Sequence, residues 1–221
     1  YWGRNDDAIK LWINCLQRIA NPTPIGGFVY LTSFRLYPAL LLYYSGGIGA
    51  IASGEDKTLA AILSKPKVRH ENTDKAACSV LYPIHIMENA GEYLMGKKCR
   101  GLAGSRYLFE YLRNSLREFL PRDDDYETAF NRFEYLLGLV HADMNRLEWN
   151  GDAWWGPIGL FAASDRHYPR DGGIAGIVDK ELDKEGAGWP LLKAGLFGGN
   201  LEQVKTAKAK YDAFWKRVPL F

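Results

Sequence analysis

Apolar residues in this chain recur mostly every three to four positions, the period of an amphipathic helix, and seldom alternate as a strand requires. Ile9, Trp12, Ile13, Leu16 and Ile19 make the first stripe. Asn5-Asp6-Asp7 ahead of it offers an N-cap and an acidic first turn, and Asn21-Pro22 stops it. The stretch from Thr23 to Gly27 reads as a connection, after which the chain is strongly apolar from Leu36 to Ala52. Ser33 suits the cap of that helix and Pro38 its first turn. A short helix from Glu55 to Ser64 follows, stopped by Pro66. Thr73 is expected to cap the next, carrying Ala76, Ala77, Val80 and Leu81, and Pro83 to interrupt the path before Ile84, Ile86, Met87, Ala90 and Leu94.

Ser105 opens a further helix with Tyr107, Leu108, Tyr111, Leu112, Leu116 and Phe119 on its buried stripe, ended by Pro121. Asp123-Asp124-Asp125 caps the strongest pattern, Tyr126 to Glu148, with Phe130, Phe133, Leu136, Leu137, Val140, Met144 and Leu147 inward. Asn150-Gly151-Asp152 is a turn signal. Trp154 to Pro190, rich in glycine and aromatics, reads as short helices and ordered loops. A last helix, Leu201 to Val218, places Leu201, Val204, Tyr211, Phe214, Trp215 and Val218 on one face and most of its lysines opposite.

The expected fold is therefore all-α: a multi-helix globular bundle around a central apolar, glycine-containing helix, with a Gly/Trp-rich irregular segment near 150–190. A single helical domain over 1–221 is expected, any subdivision falling near 150–152. The apolar run at 36–52 is shorter than the ~20 residues of a membrane span, and Arg35 and Glu55 flank it. Its Ser45, Gly46, Gly47 and Gly49 let a neighbouring helix approach closely, so a buried central helix is expected and no membrane association.

Composition narrows the class only a little. A hydrophobic share of 47% with 24% charged residues is that of an ordinary folded protein. Lys plus Arg number 28 against 26 for Asp plus Glu, a balance of +2 that neither requires nor forbids nucleic acid. Cys15, Cys78 and Cys99 are far apart, with no C-x-x-C pair for zinc or redox chemistry, and read as small buried thiols in the cytoplasm. The chain opens on Tyr1, which suggests a piece of a larger protein whose activity resides elsewhere.

Motifs for specific chemistry are sparse. Gly46-Gly47-Ile48-Gly49 lacks a Walker lysine and a preceding strand, so helix packing is its better reading. Asp171-Gly172-Gly173-Ile174-Ala175-Gly176 matters only if a helix starting at Ile174 aims free amides into a pocket. His70, His85, His141 and His167 show no metal-ligand spacing, and neither a metal nor a cofactor is expected. Glu134 and His141 lie two turns apart on one helical face: either a polar pair lining a pocket or, preferably, boundary residues of a core helix, with Glu134 pairing across an interface. The densest mixture of aromatic and polar groups is at 152–170. There Trp154 and Trp155 suit stacking on a planar ligand or anchoring a partner, and Arg166, His167 and Arg170 supply positive charge for phosphate or carboxylate. The preferred reading is a glycine-rich loop pinned to the core by its tryptophans. Lys205, Lys208, Lys210, Lys216 and Arg217 on the last helix are interrupted by Glu202 and Asp212, the pattern of a solvated face more than of a nucleic-acid surface.

Two segments, Tyr37 to Gly49 and Phe133 to Asp143, resemble parts of the helical C-terminal regions of bacterial multidomain proteins that carry sirtuin-like or Schlafen/AlbA-type N-terminal domains, several of them associated with phage defence. The catalytic hallmarks of those N-terminal domains are absent here, so the resemblance implies an accessory role and no catalytic residue. The expected function is a non-catalytic sensing, oligomerising or partner-binding module acting through a protein partner or self-association. The alternatives are a small-molecule or nucleotide-binding protein or enzyme with a pocket near 154–170, and nucleic-acid binding through the last helix.

Overall fold

Asn5 opens the first helix, α1 (Asp6–Ala20), its carboxamide oxygen accepting the Asp7 N–H at 2.9 Å, and the chain continues as a predominantly helical fold. The structure is a computed structural model that describes residues 5–21, 29–70, 73–96, 101–145, 156–167 and 173–219, with the backbone alone at 29–33, 89–93 and 167.

The apolar run becomes α2 (Val29–Ala52), which starts before Ser33, so Pro38 lies inside the helix and not in its first turn. Burial of Ala39, Leu40, Tyr43, Tyr44 and Ile48 outweighs one missing backbone donor. Two of its glycines are contact points. A Cβ on Gly46 would enter the Trp12 indole of α1, and a Cβ on Gly47 would enter the Phe133 ring. Gly49 has open space around the same position. No helix among the described residues is long and apolar enough to cross a membrane.

After α3 (Asp56–Ser64) the chain departs from the helical expectation. Lys67–His70 (β1) and Thr73–Ala76 (β2) pair antiparallel, Lys67 opposite Ala76 and His70 opposite Thr73, so Thr73 starts a strand where a helix cap was expected. The hairpin is held by the C-terminal end of α1. Lys67 N–H donates to Gln17 Oε1 at 2.9 Å, Arg69 N–H to Asn21 Oδ1 at 2.5 Å, and Asn21 Nδ2 to the Lys67 carbonyl at 3.2 Å. Four-residue strands carry too little alternation to show in sequence; only Val68 is buried between exposed Lys67 and Arg69. A single 3-10 turn at Ala77–Ser79 leads on to α4 (Pro83–Met95), with Pro83 in its first turn.

Helices α5 (Ala103–Leu116) and α6 (Asp123–Met144) follow, then α7 (Phe161–His167), α8 (Gly173–Glu185), α9 (Pro190–Lys193) and α10 (Leu201–Arg217). Asn200 caps α10, accepting the Glu202 and Gln203 N–H groups at 2.9 and 3.2 Å. α2 packs against α1, α3, α4, α5 and α6, and α6 packs in turn against α10. A Cβ on Gly138 of α6 would meet the Tyr211 phenol of α10. One contiguous core of buried side chains runs from Leu16 to Val218. Four expected inward residues lie at the surface: Phe119, past the end of α5 and 75% exposed, together with Tyr111, Ile19 and Met144. Cys15 is also exposed, whereas Cys78 is buried and its thiol is pushed up to about 12 by burial.

Candidate functional site: a polar cleft above a buried glutamate

Trp154, Trp155 and Arg170 lie outside the described residues, and the side chain of His167, the last residue of α7, is not described. Arg166 is placed, and its role is structural. Its Nη2 donates to the Trp215 carbonyl and, at 2.7 Å, to the Val218 carbonyl, satisfying acceptors that the last turn of α10 leaves open. Asp165 beside it serves the next helix, accepting the Ile174 and Ala175 N–H groups at 2.9 Å each. Those first amides of α8 are therefore occupied and not aimed into a pocket. Gly173 adopts φ +49°, and a Cβ there would run into the Asp165 carboxylate.

Glu134 and His141 do not meet. Glu134, 3% exposed, reaches across three interfaces: Oε1 accepts Ser105 Oγ of α5 at 2.5 Å and Tyr44 OH of α2 at 3.3 Å, and Oε2 accepts the Leu160 N–H at 2.7 Å. The neighbouring Gly159 has no room for a Cβ against this carboxylate. No cation is among its partners, so burial lifts its pKa to about 7 although Ser105, Leu160 and Tyr44 donate to it. His141, also buried, packs edge-on to Tyr82 with ring centroids 6.0 Å apart, and burial lowers it to about 4. The pair thus belongs to the core, with Glu134 a tether between α2, α5, α6 and the entry to α7.

Directly over that tether is a cleft of about 360 Å³. α5 contributes Arg106, Phe109 and Glu110, and α6 contributes Glu127 and Asn131. Leu160, Ala163 and Ser164 at the start of α7 close the third side, and none of Trp154, Trp155, Arg166, His167 and Arg170 is among the described residues that line it. The two helices run antiparallel in a definite register: Ser105 bonds Glu134, Tyr126 OH donates to the Phe109 carbonyl at 2.7 Å, and Arg113 Nε donates to Asp123 at 2.6 Å. The same register sets Arg106 opposite Asn131 and Glu110 opposite Glu127. The three charged residues are exposed and, among the described residues, enter no ion pair with one another or with a neighbour.

Asn131 is different. It is 7% exposed and lines the cleft, and its Oδ1 is sealed from solvent without a hydrogen-bond partner. Sequence pattern passed over all four residues. The available signal was the pair of polar couples, Arg106/Glu110 and Glu127/Asn131, each at i,i+4 on one face of its helix.

Two other polar groupings are internally satisfied. A second cleft of about 290 Å³ between α6 and α10 has Gln203 Nε2 bonded to both Asp143 oxygens at 2.8 Å. Buried Asp212 accepts from Tyr135 OH and Trp215 Nε1 at 2.9 Å each and from Lys208 Nζ at 2.5 Å. Lys208 also pairs with Asp179 at 2.8 Å. Burial disfavours the Lys208 ammonium, but these two carboxylates outweigh it and raise the pKa. Lys208 is thus a core residue, not part of a solvated basic face. Compared with known protein families, curated proteins and solved structures, the chain matches none.

Proposed function

We propose that this chain is a helical sensing module that binds a small polar molecule in the cleft between α5, α6 and α7. The observation that carries the reading is the Asn131 carboxamide, 7% exposed in the cleft wall and without a hydrogen bond to the protein. A carboxamide that makes no hydrogen bond to the protein is available to a ligand, and one such bond is worth about 0.5–1.5 kcal/mol. The charged rim of Arg106, Glu110 and Glu127 supports the same reading, because a concave site in which several polar groups converge suits a small polar ligand. A sensing role accords with the accessory position implied by the resemblance to C-terminal regions of bacterial defence proteins. No catalytic role is assigned, and Glu134, with both oxygens accepting hydrogen bonds from the protein, serves as a tether.

The test is native mass spectrometry of the chain purified gently from its own host, beside an Ala163→Trp variant whose indole fills the cleft. A co-purifying molecule of defined mass on the wild type and absent from the variant is expected. A bare wild-type chain, with no thermal shift from amino acids, nucleotides or sugars, sinks the reading.

A further inference from the structure

The register of α5 against α6 gives the cleft two chemically distinct ends. At one end the cleft is lined by Glu110 of α5 and Glu127 of α6, two exposed carboxylates with no cation bonded to either among the described residues. At the other are Arg106 of α5 and Asn131 of α6, and Ser164 of α7 also lines the cleft. Within each helix the two ends are four residues apart, about 6 Å along the axis. Phe109, whose ring is packed edge-on against Phe130 at 5.1 Å, lies between them on the α5 wall.

Resting on the small-molecule reading above, we infer that the cleft takes a zwitterion of amino-acid size, its ammonium between Glu110 and Glu127 and its carboxylate against Arg106 and Asn131. Two carboxylates lining the same end without a cation favour a positive group there, which sets the sign at that end. The guanidinium offers a planar fork that matches a carboxylate, which sets the sign at the other. Asn131 completes that end: its Oδ1 is the sealed atom, which leaves the amide N–H groups to donate to a carboxylate, and they have no hydrogen bond within the protein to give up. A simple anion meets two negative charges, and a simple amine leaves Arg106 and Asn131 unmatched. Only a molecule with both charges, about one helical turn apart, satisfies both ends.

Isothermal titration of the whole chain with 4-aminobutyrate, butylamine and butyrate reads this directly. The expected result is that 4-aminobutyrate binds at least ten-fold more tightly than either singly charged analogue. Arg106→Gln should erase its advantage over butylamine, and Glu110→Gln combined with Glu127→Gln its advantage over butyrate. All three positions are exposed, so unchanged thermal melting of the variants checks that the fold is intact. Butylamine binding as tightly as the zwitterion, or variants that leave the preferences unaltered, overturns the inference. If all three probes fail while the host-purified chain carries a molecule that Ala163→Trp displaces, the zwitterion class falls and the small-molecule reading stands. A bare chain that binds none of them removes both.

Discussion

Replacing Glu134 by glutamine removes one buried charge while keeping the shape of the tether. The glutamine oxygen still accepts the Leu160 N–H, and its amide donates to the Ser105 or Tyr44 hydroxyl, which accepts as readily as it donates. What changes is the coupling to pH. In the unfolded chain the carboxyl titrates near its ordinary 4.5, and in the fold near 7. Below 4.5 both states hold the proton and the fold has its full stability. Between 4.5 and 7 the unfolded chain has released it and the fold has not, so stability falls as pH rises, and above 7 the loss is complete. At about 1.4 kcal/mol per pH unit the window is worth roughly 3 kcal/mol.

His141 acts in the opposite direction. Its pKa is near 6.5 when unfolded and about 4 in the fold, so the unfolded chain gains a proton first as pH falls, and stability is lost from 6.5 down to 4. That window is also worth roughly 3 kcal/mol. Across 4.5 to 6.5 the two effects cancel, and a wild-type curve alone would look deceptively flat. The informative quantity is the difference between E134Q and wild type, in which His141 and every other group drop out. Urea denaturation followed by tryptophan fluorescence and far-ultraviolet circular dichroism, from pH 4.5 to 8, supplies it. The difference should grow by about 3 kcal/mol in favour of E134Q between pH 4.5 and 7.5. His141→Asn should gain on wild type only as pH falls below 6.5. Parallel curves for E134Q and wild type would refute the buried, cation-free account of this carboxyl.

Two further outcomes follow from packing and capping. Gly47→Ala and Gly138→Ala each drive a methyl into an aromatic ring and should cost about 1–3 kcal/mol, whereas Gly49→Ala, on the open side of α2, should be neutral or stabilise by up to ~1 kcal/mol; similar melting temperatures for all three would contradict the close approach of α2 to α6 and of α6 to α10. Arg166→Ala strips the acceptors at the end of α10 of their charged donor and should cost about 1.5–3 kcal/mol, with faster hydrogen exchange confined to the Phe214–Val218 amides; slow exchange there in the variant would show that another group holds this end.

Helix identity was written in local order. The stripe beginning at Ile9 with its Asn5 cap and the Asn200-capped α10 each follow from a period of 3.6 residues and a side chain that satisfies the first amides, whereas the triple aspartate expected to cap α6 lies inside its first turn, after Arg122, and makes no capping bond. The packing role of Gly46 and Gly47 was legible as well, because small residues in an apolar helix have few other uses, although which ring each would receive was not. The β-hairpin was invisible: four-residue strands carry almost no pattern, and Gln17 and Asn21, some fifty residues earlier, hold it in place. Arg166 looked like a ligand-binding cation because sequence cannot show that the end of α10 comes to rest against it. Glu134 was marked as needing a partner across an interface, but Ser105, Tyr44 and Leu160 come from three separate stretches of chain. The cleft is the extreme case. Arg106, Glu110, Glu127 and Asn131 read singly as ordinary surface residues of two helices, and only the antiparallel register of α5 on α6 turns them into two opposed ends of one site. Periodicity and capping are properties of neighbours in sequence, whereas a site depends on which faces meet, and that is decided by burying the whole core at once.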